Sequence, residues 1–166
     1  MTGSGTPSRV VLMRHGTAAD RLAEGSDHER PLTARGVQEA LWTAEQIRGV
    51  GWSIDRVFHS DAHRTSETWW AVQSVFPGLQ ATASEHLYRA GPDDLLQAIE
   101  RERARGGCVL WVGHNPTWSQ VASFLVGDQR AMRPATAACI TLPVPLRESG
   151  SGRLEHWFVP PSERVP

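Results

Sequence analysis

Arginine and histidine stand at the ends of apolar runs in this chain. Arg14-His15-Gly16 follows Arg9-Val10-Val11-Leu12-Met13, and Gly113-His114 follows Cys108-Val109-Leu110-Trp111-Val112. A short predicted strand, Asp55–Ser60, leads through His59 and Ser60 to Arg64. A neutral imidazole nitrogen is a good nucleophile near pH 7, because its unperturbed pKa is about 6.5. Guanidinium groups carry a fork of donors that matches phosphate. Two of each, brought to one spot, would repel one another, and an anion would relieve the repulsion. The chemistry implied is phosphoryl transfer to an imidazole, with arginines offsetting charge on the equatorial oxygens and no metal or other cofactor required. Each piece alone is weak, since an isolated histidine after a strand is usually a hydrogen-bonded structural residue. The combination, in this order and at strand ends, carries the reading.

Those residues need a scaffold that delivers strand ends to one edge. The run 9–13 reads as a buried strand. Residues 18–30 read as a loop. Thr33 is a plausible N-cap for a helix over Ala34–Arg48, with Val37, Leu41, Ala44 and Ile47 at helical spacing and Gly49 closing it. Asp55–Ser60 reads as a second strand, Arg64–Phe76 as a helix stopped by Pro77-Gly78, and Leu79–Ser84 as a third strand. A helix from Pro92 to about Arg105 precedes strand Cys108–Val112, and residues 117–126 form a helix ending at Gly127. Ala138–Leu142 and Leu154–Val159 read as edge strands around a turn at Glu148–Gly152. Strands alternating with helices predict an α/β fold, a three-layer sandwich whose mostly parallel central sheet is flanked by helices on both faces. In such sheets ligands bind beyond the carboxyl ends of the strands.

The chain has 166 residues, which suits one domain. The expected organisation is a disordered tail over 1–8, a single domain over 9–160 and a C-terminal tail over 161–166. A net charge of −1 gives no global field that would draw nucleic acid or a membrane surface. The N-terminus lacks the apolar run of a signal peptide, and no stretch has the length to span a bilayer, so a cytoplasmic location is expected. Cys108 and Cys139 each lie in an apolar stretch and read as buried, unpaired thiols.

The segment VVLMRHGTA resembles the signature of the histidine phosphatase superfamily, the phosphoglycerate-mutase-like fold. DHERPLTARGVQEA (27–40), VFHSDAHRTSETW (57–69) and LWVGHNPTWSQVASFLVG (110–127) are similar to its short phosphohistidine phosphatase branch, the SixA type. The resemblance covers roughly residues 9–127, with the motifs in family order. It implies that His15 is the nucleophile, Arg14 and Arg64 the phosphate-binding arginines, and His114 the second histidine on the phosphoryl group. It also implies a proton-donating carboxylate near Glu85, just after the third strand. A surface glutamate is the equal alternative there.

The departures are informative. Ser60-Asp61 stands where many family members have Ser-Pro, and Asp61 reads as a helix cap. Thr17 stands where an acidic residue often follows the RHG triplet, and its hydroxyl is expected to donate to phosphate. Asp27 and Arg30 are expected to pair structurally. His59 and His63 are four apart, but His59 falls in a strand and no third ligand follows, so a metal site is not expected. The resulting expectation is a metal-independent phosphatase that passes through a phosphohistidine intermediate and acts on phosphohistidine in a protein. The partner is thus a phosphorylated protein or, in the alternative, a small phosphorylated metabolite such as a sugar phosphate or nucleotide. A non-catalytic phosphate-binding module is a third possibility.

Overall fold

The computed structural model describes residues 7–143 and 148–162. The predicted tails therefore lie largely outside the described residues, but Ser8 does not belong to a tail. It is buried and begins strand β1, Ser8–Arg14. The elements that follow are α1 (Ala34–Gly49), β2 (Arg56–Ser60), α2 (His63–Val75), β3 (Ala81–Ser84), α3 (Glu85–Tyr88), α4 (Pro92–Arg103), β4 (Cys108–Gly113), α5 (Thr117–Val126), β5 (Ala137–Leu142) and β6 (Arg153–Phe158). A 3₁₀ turn, Asp27–Glu29, interrupts the segment read from sequence as loop.

The six strands form one sheet in the order β3-β2-β4-β1-β5-β6. β3, β2, β4 and β1 are parallel, whereas β5 runs antiparallel to both β1 and β6. Alternation along the strands divides the core into two layers. Val11 and Met13 of β1 pack with Ala40, Ala44 and Ile47 of α1 and with Trp69 and Val72 of α2. Val10 and Leu12 face the other way, toward Leu95 and Ile99 of α4 and Trp118, Val121 and Leu125 of α5. The mostly parallel three-layer α/β architecture is therefore the one the element order predicts. Among the described residues no helix is long and apolar enough to cross a membrane.

Local signals explain most boundaries. Thr33 caps α1 by accepting a hydrogen bond from the Gly36 N–H at 3.0 Å. Gly127 ends α5 at φ 72°. Three details correct the sequence-based expectation. Gly49 lies inside α1, and the left-handed residue after the helix is Gly51, at φ 78°. α3 was not expected, because four residues carry too little periodicity to register. β5 is an interior strand rather than an edge, and its burial on both faces explains its mostly apolar sequence AACITL.

Candidate active site

The sheet order makes β2, β4 and β1 neighbours, so their carboxyl ends meet. Arg14 ends β1 in register with Gly113 at the end of β4. The next residue, His15, is pinned on both sides. Its N–H donates to the Gly113 carbonyl at 3.1 Å, and its carbonyl accepts from the Ala135 N–H at 2.9 Å. Gly16 allows the turn to press onto α1: a Cβ there would strike the Gly36 carbonyl, and one on Gly36 would strike Thr17. The Gly16 N–H donates to Thr68 Oγ1 at 3.2 Å, and that hydroxyl donates to the Arg64 carbonyl at 2.7 Å. Both helices on this face thus fix the loop after β1.

The His15 ring is 8% exposed. Its Nδ1 lies 2.7 Å from the Gly16 carbonyl oxygen. A carbonyl only accepts, so Nδ1 carries the proton and Nε2 keeps its lone pair. Arg64 Nε donates to that Nε2 at 3.3 Å. Burial drives the pKa of His15 down to about 4, with Arg64 and Arg14 adding to the effect and the Gly16 hydrogen bond opposing it.

Arg64 sits near the start of α2 and is 6% exposed. Its Nη1 donates to the Asp27 main-chain carbonyl at 2.7 Å and its Nη2 to Asp27 Oδ2 at 3.0 Å. Asp27 is held in turn by the Tyr88 hydroxyl, 2.6 Å from Oδ2, and by Arg30 Nη1, 3.0 Å from Oδ1. The Tyr88 hydrogen bond, followed by those from Arg30 and Arg64, keeps this carboxyl well below the usual carboxylate range. Arg14 donates from Nη1 to the Met132 carbonyl at 3.0 Å, while its buried Nε has no hydrogen-bond partner among the described residues.

His114 follows Gly113, which has no room for a side chain because the Trp118 ring lies against it. Trp118 is locked there by a 3.0 Å hydrogen bond from its indole N–H to the Trp111 carbonyl. His114 Nε2 lies 2.7 Å from Ser60 Oγ, and its buried Nδ1 has no hydrogen-bond partner among the described residues. The two imidazole centroids are 5.3 Å apart. Burial, then the neighbouring His15 and Arg64, pull His114 down to about 3. Both imidazoles are therefore neutral at pH 7. The expected crowd of four cations reduces to two guanidinium groups, with the Asp27 carboxylate against one of them.

The remaining sequence-stated candidates are placed differently. The Thr17 hydroxyl donates to Glu39 Oε1 at 2.7 Å, so its single proton is engaged with that buried carboxylate. Glu85 begins α3, is exposed, and makes no polar contact among the described residues. It lines a cavity of about 990 Å³ with His28, Asp61, Tyr88, Phe58 and Trp111. Phe58 and Trp111 stack at 4.7 Å as part of its lining. Asp61 does not cap α2. Ala62 holds the cap position, and Asp61 Oδ1 instead pairs with His28 Nε2 at 2.9 Å. The Asp27–Arg30 pair is present at 3.0 Å. His59 is buried with Nδ1 2.7 Å from the Ser60 carbonyl, and His63 pairs with Glu67 at 2.8 Å. Cys108 and Cys139 are free and buried, and burial pushes both thiols up to about 12. Sequence reasoning missed Tyr88 and Thr68, the bond between Ser60 and His114, and the grip of Asp27 on Arg64. Only the Asp27–Arg30 spacing offered a local signal.

Comparison with known proteins returns the histidine phosphatase superfamily (branch 1), matched over residues 10–88. The chain is 30% identical over 162 residues to the phosphohistidine phosphatase SixA of Escherichia coli K12, covering 92% of this chain and 94% of that one. A solved structure from Nakamurella multipartitia, named for the same phosphatase, superposes with a TM-score of 0.80 at 27% identity, covering 94% of this chain and 98% of that one. An uncharacterized chloroplastic protein of Arabidopsis thaliana is 27% identical over 143 residues, 80% of this chain. The match spans 65% of that relative's length.

Proposed function

The chain belongs to the histidine phosphatase superfamily, with the phosphoglycerate-mutase-like fold, and from that premise we propose that it removes phosphate from phosphohistidine in a protein. The observation that carries the phosphoryl-transfer part of the reading is the 2.7 Å contact of His15 Nδ1 with the Gly16 carbonyl, and the likeness to the SixA phosphatase supports the choice of substrate. The Gly16 carbonyl holds the proton on Nδ1, so the lone pair of Nε2 faces the Arg64 guanidinium. A phosphoryl group bound by Arg64 meets that lone pair directly.

In the first step Nε2 bonds to phosphorus while the bond from phosphorus to the substrate nitrogen breaks. The leaving imidazole takes a proton from water, and the charge gained by the His15 ring is stabilised through Nδ1–H on the Gly16 carbonyl. In the second step a water oxygen bonds to phosphorus, the bond to Nε2 breaks with its electron pair returning to the ring, and the water's protons leave on the released phosphate. Arg14, Arg64 and His114 hold the equatorial oxygens throughout, and the two guanidinium groups take the charge-neutralising role. The unpartnered Nε of Arg14 and Nδ1 of His114 are groups a bound phosphate would satisfy.

A second reading, hydrolysis of a small phosphoester, is favoured by Glu85 alone. It lines the same cavity as Tyr88 and offers a carboxylic acid to an alkoxide leaving group. One substrate panel separates the two. The purified protein is compared by kcat/KM on a phosphohistidine protein, sugar phosphates, nucleotides and a phosphotyrosine peptide. The phosphohistidine protein is expected to lead. A higher value on any ester overturns the first reading in favour of the second.

A further inference from the structure

We propose that Asp27 is the positioning residue of this site, holding Arg64 edge-on so that the rest of its guanidinium meets the phosphoryl group at His15. The inference rests on the phosphatase reading above and goes beyond it. Arginine has five N–H donors in a rigid plane. Asp27 takes one from each terminal nitrogen, on its main-chain carbonyl and its carboxylate, while Nε points at His15. One residue thereby fixes both the position and the plane of the group.

Asp27 is itself over-determined. Its two carboxylate oxygens accept from Arg64, Arg30 and Tyr88. Arg30 is anchored independently, donating from Nε to the Ala19 carbonyl at 2.8 Å. Tyr88 comes from α3, on the far side of the site, and its ring lies 5.5 Å from that of His114. The 3₁₀ turn is thus tied to both ends of the phosphoryl pocket through one side chain. A negative charge is an odd choice at a site built for phosphate, because it weakens the field the anion meets. What it gives in return is orientation. Asp27 therefore opposes phosphate binding and favours turnover, two effects of opposite sign.

That opposition supplies the test. Inorganic phosphate binding by calorimetry and kcat on a phosphohistidine protein are measured for the intact chain, Asp27→Asn, Arg64→Ala and the double variant. Asp27→Asn is expected to bind phosphate at least as tightly as the intact chain while kcat falls about tenfold to hundredfold, the scale of a small misplacement of a catalytic group. In the Arg64→Ala background the same change should alter kcat by less than about twofold, because residues acting as one unit are not additive. Parallel loss of affinity and kcat, or a full effect without Arg64, would overturn the proposal. Should Asp27→Asn fail to fold, Asp27→Glu keeps the charge and moves the grip by one methylene. A lower kcat with unchanged phosphate affinity supports positioning, and a normal kcat refutes it. Nitrogen-15 NMR of the Arg64 side chain needs no turnover. Separate, slowly rotating Nη signals are expected in the intact chain and their collapse in Asp27→Asn. If no substrate is hydrolysed, the phosphatase reading falls, and these signals alone decide on Asp27: their persistence in the variant sinks it.

Discussion

The pocket at the ends of β1, β2 and β4 and the cavity beside it, between α3 and α4, differ in how many of their charged groups are held. In the pocket nearly every polar group has a fixed partner: His15 on Gly16 and Arg64, Arg64 on Asp27, His114 on Ser60. In the neighbouring cavity the His28–Asp61 pair and the Arg56–Glu102 pair are fixed, but Glu85 and Arg89 are exposed and, with Arg101, make no ion pair or hydrogen bond among the described residues. Geometry that must serve every turnover is preorganised, and orientation is set before the anion arrives. The surface beside it is left adaptable, which suits recognition of whatever carries the phosphoryl group. The boundary between the two is Tyr88, bonded to Asp27 on one side and lining the cavity on the other.

Substitutions can break this contrast at graded depth. His15→Ala removes the proposed phosphoryl acceptor and should lower kcat by about 10⁴-fold or more, the scale seen when a nucleophile is deleted. The circular dichroism spectrum should stay unchanged, because the main-chain bonds of residue 15 remain. Arg64→Ala should cost about 10²- to 10³-fold in kcat, as for loss of one preorganised donor. On the cavity side, Glu85→Gln should slow an alkyl phosphoester about hundredfold and a phosphohistidine substrate by less than about twofold, since imidazole leaves with less help from an acid. Equal small effects on both substrates would return Glu85 to the role of a surface carboxylate.

The smallest effect is one of pH. His15 titrates near 4 and His114 near 3 in the folded chain, against about 6.5 when unfolded. Between those values the unfolded chain binds more protons, so acid favours unfolding. The thermal midpoint should hold above about pH 6.5 and fall by several degrees as pH drops through 4. Burial lowers His59 as well, so His15→Ala removes one of three contributing histidines and should flatten that fall. An equal slope in the variant would show that His15 is not neutral in the folded protein.

How much of this was legible depended on sequence separation. The ends of β1 and β4 were legible because their apolar runs stop at polar, glycine-containing turns, Arg14-His15-Gly16 and Gly113-His114. The cap at Thr33 was legible because the donor it serves lies three residues on. The partners of the site were not. Asp61 looks like a cap by position, yet its carboxylate turns to His28, 33 residues away. Thr17 looks free to donate, yet Glu39 approaches from the middle of α1. Tyr88 reaches Asp27 across 61 residues with nothing in either segment to announce it. Local propensity fixes where a side chain starts. Which neighbour takes its hydrogen bond is decided by the packing of elements that meet only in the folded chain. The same holds for charge: the histidines read as potential cations until burial makes them neutral.

The contact between Gly16 and Gly36 bears on how this protein would look in a saturation mutagenesis map. Gly36 lies in α1 and never reaches the phosphoryl group, but any side chain there pushes against the turn that carries His15. Position 36 should score as intolerant as His15 itself. A map of lost activity would therefore draw the site one helix turn larger than its chemistry. Abundance measured on the same variants would show whether the loss at position 36 comes from displacement of the turn or from failure of the helix.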